Sequence, residues 1–422
     1  MERIGLPFGS GTAELIVPEG NSLSFIAPGE EAPVADIRSE IRRSLSAPYG
    51  TEPLSRLARG VKRVVLLCDD WTRPTPASDI LAPLIFELQK SGVGLEGITL
   101  LVARGERPLV EGSNQLLEDK FGCWYHRLKF IVHDCDDHSK MKFIGISDLG
   151  TPVWVNREVT DAQLVIGIGN VVPHIAAGFA GGAKILMPGV CARETIESNH
   201  RIYFSPQADL GKLSNNPFRK DINQIAGMIG LDMIINTVLN ADGSLVKSFT
   251  GDYQLAFQKA VKLARKIYSF PVQEQFDISV VVPGFGYDID LADGTKALFP
   301  ADRITRPGGV IVLLIDCREG IGWPGFMGLM KKKRSEVVRA FIRREITDTV
   351  APHVFEFKRM QQEKEIIVVT EGVSPQELAE MGFSHTSSLE EAMSRVFASR
   401  KGGSKVGVLS HGVVMLPEMV GG

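Results

Sequence analysis

The chain predicts an α/β fold built as two domains, and three observations carry that reading. Short apolar runs rich in β-branched residues alternate with helix-period segments. A length of 422 residues exceeds what one hydrophobic core ordinarily serves. The alternation also breaks at Ser269-Phe270-Pro271, and a second set of strand and helix signals follows.

In chain order, Val61–Cys68 reads as a buried strand, followed by a polar turn from Asp69 to Pro76. A helix is expected from about Asp79 to Lys90, because Ile80, Leu81, Leu84, Ile85 and Leu88 share one face. Ser78 or Asp79 would cap it. Ile98–Val102, Phe130–His133 and Leu164–Gly169 are further strands. Asn240-Ala241-Asp242-Gly243 signals a turn, and Val261, Ala264 and Ile267 mark a helix running into Tyr268. Beyond the break, Ile278–Val282, Gly309–Asp316, Ile366–Thr370 and Val406–Leu409 read as strands, with short helices at 378–382 and 389–398. The boundary falls near 270–276, giving domains 1–272 and 273–422. The last dozen residues are open to return to the first domain.

Hydrophobic content of 44% and charged content of 23% fit an ordinary soluble globular protein. A net charge of −3 favours neither nucleic acid nor an anionic membrane as partner. No apolar run is long enough to span a bilayer, and Met1-Glu2-Arg3 opens no signal peptide. Five scattered cysteines argue against a disulfide framework, so the expected setting is cytoplasmic.

The richest segment runs from Pro173 to His200. It holds His174, Lys184 and His200, with Gly178, Gly181 and Gly182 around the lysine. Glycines allow close approach of main chain to a bulky group. A lysine on such a loop is a candidate covalent or phosphate-facing residue, and His200 is a candidate for the same ligand. The spacing is not that of a nucleotide triphosphate loop, since Ile185 follows the lysine where Ser or Thr is required. A glycine-rich turn with a surface lysine is the plainer alternative.

This segment resembles the lactate racemase family, whose members use a nickel pincer nucleotide. The resemblance rests on GFAGGAK (Gly178–Lys184) and the Asn199-His200 pair. It implies a pyridinium-3-thioamide-5-thiocarboxylate mononucleotide joined covalently to Lys184, with nickel held by its sulfurs, a ring carbon and His200. It makes His174 a catalytic base. Dedicated cofactor-maturation proteins are implied as partners, so protein made alone is expected to be apo.

Three further matches occur in order. Asp70-Trp71-Thr72-Arg73-Pro74 matches the family's DxTRP motif, with Arg73 facing the substrate carboxylate and Asp70 and Thr72 on the cofactor side. Arg73 suits that task, because its planar fork grips a carboxylate by two parallel hydrogen bonds. Alignment on Arg107-Pro108 puts Glu106 where lactate-specific members have a second catalytic histidine. A glutamate serves as a base if burial lifts its pKa, or else binds a substrate hydroxyl. Gly286–Lys296 resembles the family's GYPxDxNLYQxxK segment, with Lys296 facing substrate and Ala292-Asp293 replacing a Tyr-Gln pair. The resemblance implies two α/β domains with the active site in the cleft between them.

The implied activity is racemisation or epimerisation at C2 of a 2-hydroxy acid by reversible hydride transfer. Acidic acceptors at Glu106 and Asp293 point to a polyhydroxylated acid such as an aldonate. Lactate or malate is the alternative substrate class, and a non-catalytic hydroxy-acid-binding protein the alternative function. Lys184 as a pyridoxal phosphate Schiff base lacks a partner motif, and Gly167-Ile168-Gly169 lacks the full dinucleotide fingerprint. His133-Asp134-Cys135-Asp136-Asp137-His138 has metal-ligand residue types at no standard zinc spacing. His126, His353, His385 and His411 are expected to be structural or surface residues.

Overall fold

A computed structural model describes residues 1–420 of the chain, except 285, 324, 347–348 and 401. It divides into two compact units, Glu30–Ile267 and Met1–Gly29 with Tyr268–Gly422. Both are α/β, as the alternating pattern predicts.

The Glu30–Ile267 unit is built on a six-stranded sheet. Across it run Leu245–Gly251, Met233–Leu239, Leu164–Asn170, Val64–Asp69, Ile98–Ala103 and Lys129–Val132. All neighbours are parallel except Leu245–Gly251, which turns back through the Asn240–Gly243 turn. Val64–Asp69 is buried along its whole length, as expected of a central parallel strand covered on both faces. Leu66, Leu100, Ile166 and Ile235 form the floor of a core that Ile41, Ile80, Leu84 and Leu88 close from the helices. The helix expected from about Asp79 spans Ala77–Lys90, with Pro76 at its N-cap position and no side-chain cap. It therefore begins two residues before the expected Asp79, and neither Ser78 nor Asp79 caps it. Proline fixes its own φ, which favours a helix starting right after it.

The other unit carries a wholly parallel sheet. Its order is Ser384–Thr386, Glu365–Val369, Thr305–Leu314, Phe276–Val281, Lys405–Leu409 and Ser22–Ile26. The last strand comes from the N-terminus, so this partition differs from the expected 1–272 and 273–422. Ser22–Ile26 pairs with Lys405–Leu409, and Leu6, Leu15 and Val17 of the preceding hairpin join the same core as Ile278 and Val312. The main-chain pairing and the apolar burial both hold the N-terminus there. The Ser269-Phe270-Pro271 break is itself a strand, Ser269–Val272, paired with Leu416–Met419. The final residues therefore stay in this unit.

Each sheet has a point where the strand order reverses. In the first, the chain runs from Val64–Asp69 outward to Lys129–Val132, then returns to Leu164–Asn170 on the other side. In the second, it runs from Phe276–Val281 out to Ser384–Thr386, then returns to Lys405–Leu409. Ligands of parallel α/β sheets bind beyond the strand ends at such switch points. No helix among the described residues is long and apolar enough to cross a membrane.

Candidate functional site

The candidate residues follow from that topology. The Asp70–Pro76 turn leaves Val64–Asp69, and the His174–Lys184 loop follows Leu164–Asn170; these two strands flank the first switch point. Glu106 lies just beyond Ile98–Ala103, the other neighbour of Val64–Asp69. Lys296 follows Phe276–Val281, at the switch point of the second sheet.

Lys184 sits in a single 3-10 turn, Gly182–Ile185. Its Nζ lies 5.9 Å from the centre of the Phe218 ring. The His200 ring meets the same Phe218 edge-on, with centres 5.3 Å apart. The proposed tether and the proposed metal ligand therefore share one aromatic neighbour. Phe218 belongs to the helix Pro217–Ile229, and His200 ends the helix Arg193–His200. Asp221 pins the two helices together: Asn199 Nδ2 donates to it at 2.8 Å, while Ser147 and Thr151 supply further donors. His200 Nδ1 donates to the Ile196 carbonyl at 2.8 Å, since a carbonyl can only accept. In the neutral ring the lone pair then resides on Nε2, the nitrogen a metal would take.

The loop between His174 and Lys184 is knitted from behind by the same long helix. Asn216 donates to the Ala176 carbonyl at 2.8 Å. The buried Arg219 guanidinium donates to the carbonyls of Ala177, Phe179 and Gly181 and stacks on Phe257. Burial lowers its pKa to about 9. The expectation that the glycines make room for a ligand meets a different finding. A Cβ on Gly178 would strike the Lys212 carbonyl, and one on Gly181 would reach 2.6 Å from Val171 Cγ2. Both also have positive φ. They are glycines because protein packs against them. Gly182 contributes its main-chain N–H to Asn236 Oδ1 at 2.8 Å.

His174 Nδ1 accepts from the main-chain N–H groups of Ala176 and Ala177, both at 3.1 Å. The neutral ring therefore carries its proton on Nε2. To take up a proton at Nε2 as a base, it would first have to move its own hydrogen to Nδ1 and give up both amide bonds.

A denser set of charges gathers at the ends of Val64–Asp69 and Ile98–Ala103. Thr72 N–H and Oγ1 both donate to Asp70 Oδ1, so the two expected cofactor-side residues hold each other in a tight turn. Asp70 is buried, which by itself raises its pKa, but Arg107, Arg73 and the Thr72 bonds outweigh burial and hold it below the ordinary value. Arg107 Nε stands 3.8 Å from Asp70 Oδ2. Lys120 fixes the turn further, donating to the Arg73 carbonyl at 2.8 Å and pairing with Asp69 at 2.9 Å. Glu106, 10% exposed in its side chain, pairs with Arg193 at 3.4 Å. A neighbouring guanidinium is thus the charged partner this carboxyl group faces.

Lys296 pairs with Asp293 one turn back on its own helical segment. Asp293 is 2% exposed, and its N–H is capped by Asp290 at 2.8 Å. The expected substrate acceptor at Asp293 is thus engaged with the lysine. Asp134, Cys135 and Asp136 do bring ligand atoms within 4.8 Å of one another. Burial pushes the Cys135 thiol up to about 12, and Arg193 grips Asp136, so the group has the makings of a structural ion pair. Arg193, Phe218, Arg219 and Asp221 were not singled out in the sequence. None lies in a motif, and each works through a contact distant in the chain.

Two α/β units with these loops at their switch points are matched by comparison with known proteins. Residues 8–211 match the lactate racemase N-terminal domain and residues 272–416 the lactate racemase C-terminal domain. The lactate racemase of Lactiplantibacillus plantarum is 29% identical over 385 residues, covering 88% of this chain and 89% of that protein. The lactate racemase of Thermoanaerobacterium thermosaccharolyticum is 26% identical over 427 residues, covering 99% of each. The apoprotein structure of a lactate racemase from the latter organism superposes with a TM-score of 0.88 over 99% of this chain and 100% of that one. A Thermotoga maritima protein shares the fold at a TM-score of 0.71 and 19% identity, covering 93% of this chain and 100% of that one. The protein is an isomerase, a racemase by class. The chain belongs to the lactate racemase family.

Proposed function

We propose that this protein racemises or epimerises a 2-hydroxy acid at C2, using a nickel pincer nucleotide tethered at Lys184. The observation that carries this reading is the shared Phe218 ring, which a loop lysine and an Nε2-presenting histidine both adjoin. The donor set fits the group. Lys184 would hold it covalently, His200 Nε2 would supply the protein's ligand to a sulfur-bound nickel, and such a mixed sulfur–imidazole set suits nickel. When bound, the group supplies a hydride acceptor, which makes an unactivated C2–H bond breakable without a strong base.

The chain's own residues bind and move protons. Arg73 holds the substrate carboxylate, and Lys296, paired with Asp293, faces the C2 oxygen. His174 begins as an Nε2–H donor, suited to polarise that oxygen and return its proton. Glu106, paired with Arg193, is the acceptor for a substrate hydroxyl proton or hydrogen bond. Asp70 and Thr72 shape the turn that aims Arg73.

A polyhydroxylated acid such as an aldonate remains the favoured substrate. With Asp293 engaged by Lys296, this preference rests on Glu106. A short-chain acid, lactate or malate, is the alternative, and for malate Arg107 and Arg193 are the cations of the same charge cluster. Both already face carboxylates, Asp70 and Asp136, so neither is poised for a second substrate carboxylate. The proposed setting is the cytoplasm, with cofactor-maturation proteins as partners.

The test is intact and peptide mass spectrometry with nickel analysis on protein co-expressed with those maturation proteins. A sulfur-containing nucleotide adduct on Lys184 with bound nickel is the expected result. An unmodified Lys184 would overturn the reading. Turnover of gluconate, malate and lactate then ranks the substrates, and a clear lactate preference would remove the polyhydroxy assignment.

A further inference from the structure

We propose that Arg193 is a positioning residue for the substrate site, acting by holding Glu106 in place. The inference rests on the reading above that Glu106 meets the hydroxy acid.

Arg193 is the first residue of the helix that ends in His200. Its guanidinium is clamped by Asp136, through Nε at 2.6 Å and Nη2 at 2.7 Å, in a two-pronged bond. Its main-chain N–H is bound to the Cys135 carbonyl at 3.1 Å. The fork is thereby fixed at both ends, and its remaining arm, Nη1, points to Glu106 Oε2 at 3.4 Å. The same stretch of chain holds the glutamate's backbone, since Gly105 N–H donates to the Gly189 carbonyl at 2.9 Å. Glu106 is thus held by its main chain and by its head.

Geometry of this kind does something specific. One carboxylate oxygen, Oε2, faces Arg193, so the direction in which the carboxylate points is set from that side. Glu106 is nearly buried, whereas Arg193 is one-third exposed. The arginine therefore reaches in from the rim and restrains a short acidic side chain. Pre-set orientation of this sort contributes to the reacting geometry rather than to the fold. Asp136, gripped by Arg193, is the anchor; Arg104 and Asp134 complete the charged surroundings, 3.6 Å from one another.

The test is a double-mutant cycle on cofactor-loaded protein: wild type, R193M, E106Q and R193M/E106Q, with R193K as the charge-retaining variant. Rates are measured on gluconate and on lactate, with adduct mass at Lys184 and nickel content recorded for every variant. R193M is expected to lower kcat/KM by about 10- to 100-fold with loading unchanged. R193K should recover part of that loss. Adding R193M to E106Q should cost little more than E106Q alone, because the two act as one unit. Equal rates for R193M and wild type would overturn the inference. Independent, multiplying losses would do the same, as would loss of nickel in R193M, which would assign Arg193 to the His200 helix alone. Should R193M not fold, the same cycle with R193K decides by the same criteria. A wild type with neither adduct nor turnover removes the functional reading and this inference together. A loaded, active wild type with uncoupled variants removes only the inference.

Discussion

The Lys184 corner and the Glu106 corner belong to the same unit, yet they are built from different forces. Around Lys184, position comes from an aromatic ring and from main-chain carbonyls capped by Arg219 and Asn216. Around Glu106 it comes from charge against charge: Arg193 with Asp136, Arg107 with Asp70, Lys120 with Asp69. Packing and main-chain bonds are short-ranged and indifferent to salt. Ion pairs with an exposed member, such as Asp136, are screened by it. The contrast fits two tasks, permanent attachment in one corner and reversible recognition of a small anion in the other.

The sharpest way to break this division is K184A. It should abolish the adduct and all measurable turnover, at a cost in stability that includes a cation–π contact of about 1 kcal/mol. Mass spectrometry and thermal melting check both halves. A large drop in stability would show that the corner depends on the lysine itself.

R73A strikes the other corner. Loss of a charged, two-pronged substrate contact should cost about 2–5 kcal/mol, or roughly 30- to 5,000-fold in kcat/KM, with loading intact. Steady-state kinetics beside a nickel assay would reveal any leakage between the corners.

His133 offers a pH test of the support beneath Arg193. The ring is fully buried and donates from Nε2 to the Cys191 carbonyl at 2.9 Å, and burial lowers its pKa from 6.5 to about 4. The unfolded chain therefore binds a proton that the folded one refuses between those values. Stability contributed by the neutral ring is complete above pH 6.5 and falls away as pH drops toward 4. The loss is at most about 3 kcal/mol, from about 1.4 kcal/mol per unit. Urea melts should show a flatter profile for H133N across that window. An unchanged slope would mean that other groups set the acid limb.

The smallest expected change is F218L. It removes the ring between Lys184 and His200 and shrinks a buried side chain, at a cost of about 1–2 kcal/mol. Nickel retention should fall a few-fold in a chelator challenge, with KM for the hydroxy acid unmoved. A KM effect would join the two corners that the contacts keep apart.

The strands that carry these loops were legible in the sequence. Val64–Asp69 and Phe276–Val281 announce themselves as apolar runs, and polar clusters start where they stop. The N-terminal strand was not, because Ser22–Ile26 is half exposed and finds its place only by pairing with Lys405–Leu409, far along the chain. The site divides similarly. Lys184, His200 and Arg73 stood out through motif and chemistry. Arg219 and Asp221 did not, because an arginine and an aspartate in an amphipathic helix look like solvated charges until the fold turns them inward. Asp293 shows the opposite case. Its acidic side chain suggested a substrate contact, and only the turn of helix linking it to Lys296 shows what it holds.

Arg219 has a further consequence. Because it and Asn216 already satisfy the carbonyls of residues 176, 177, 179 and 181, the loop has its shape before anything is attached to it. If a cofactor is tethered at Lys184 as proposed, its attachment is then a delivery to a standing dock rather than an event that must first shape the loop.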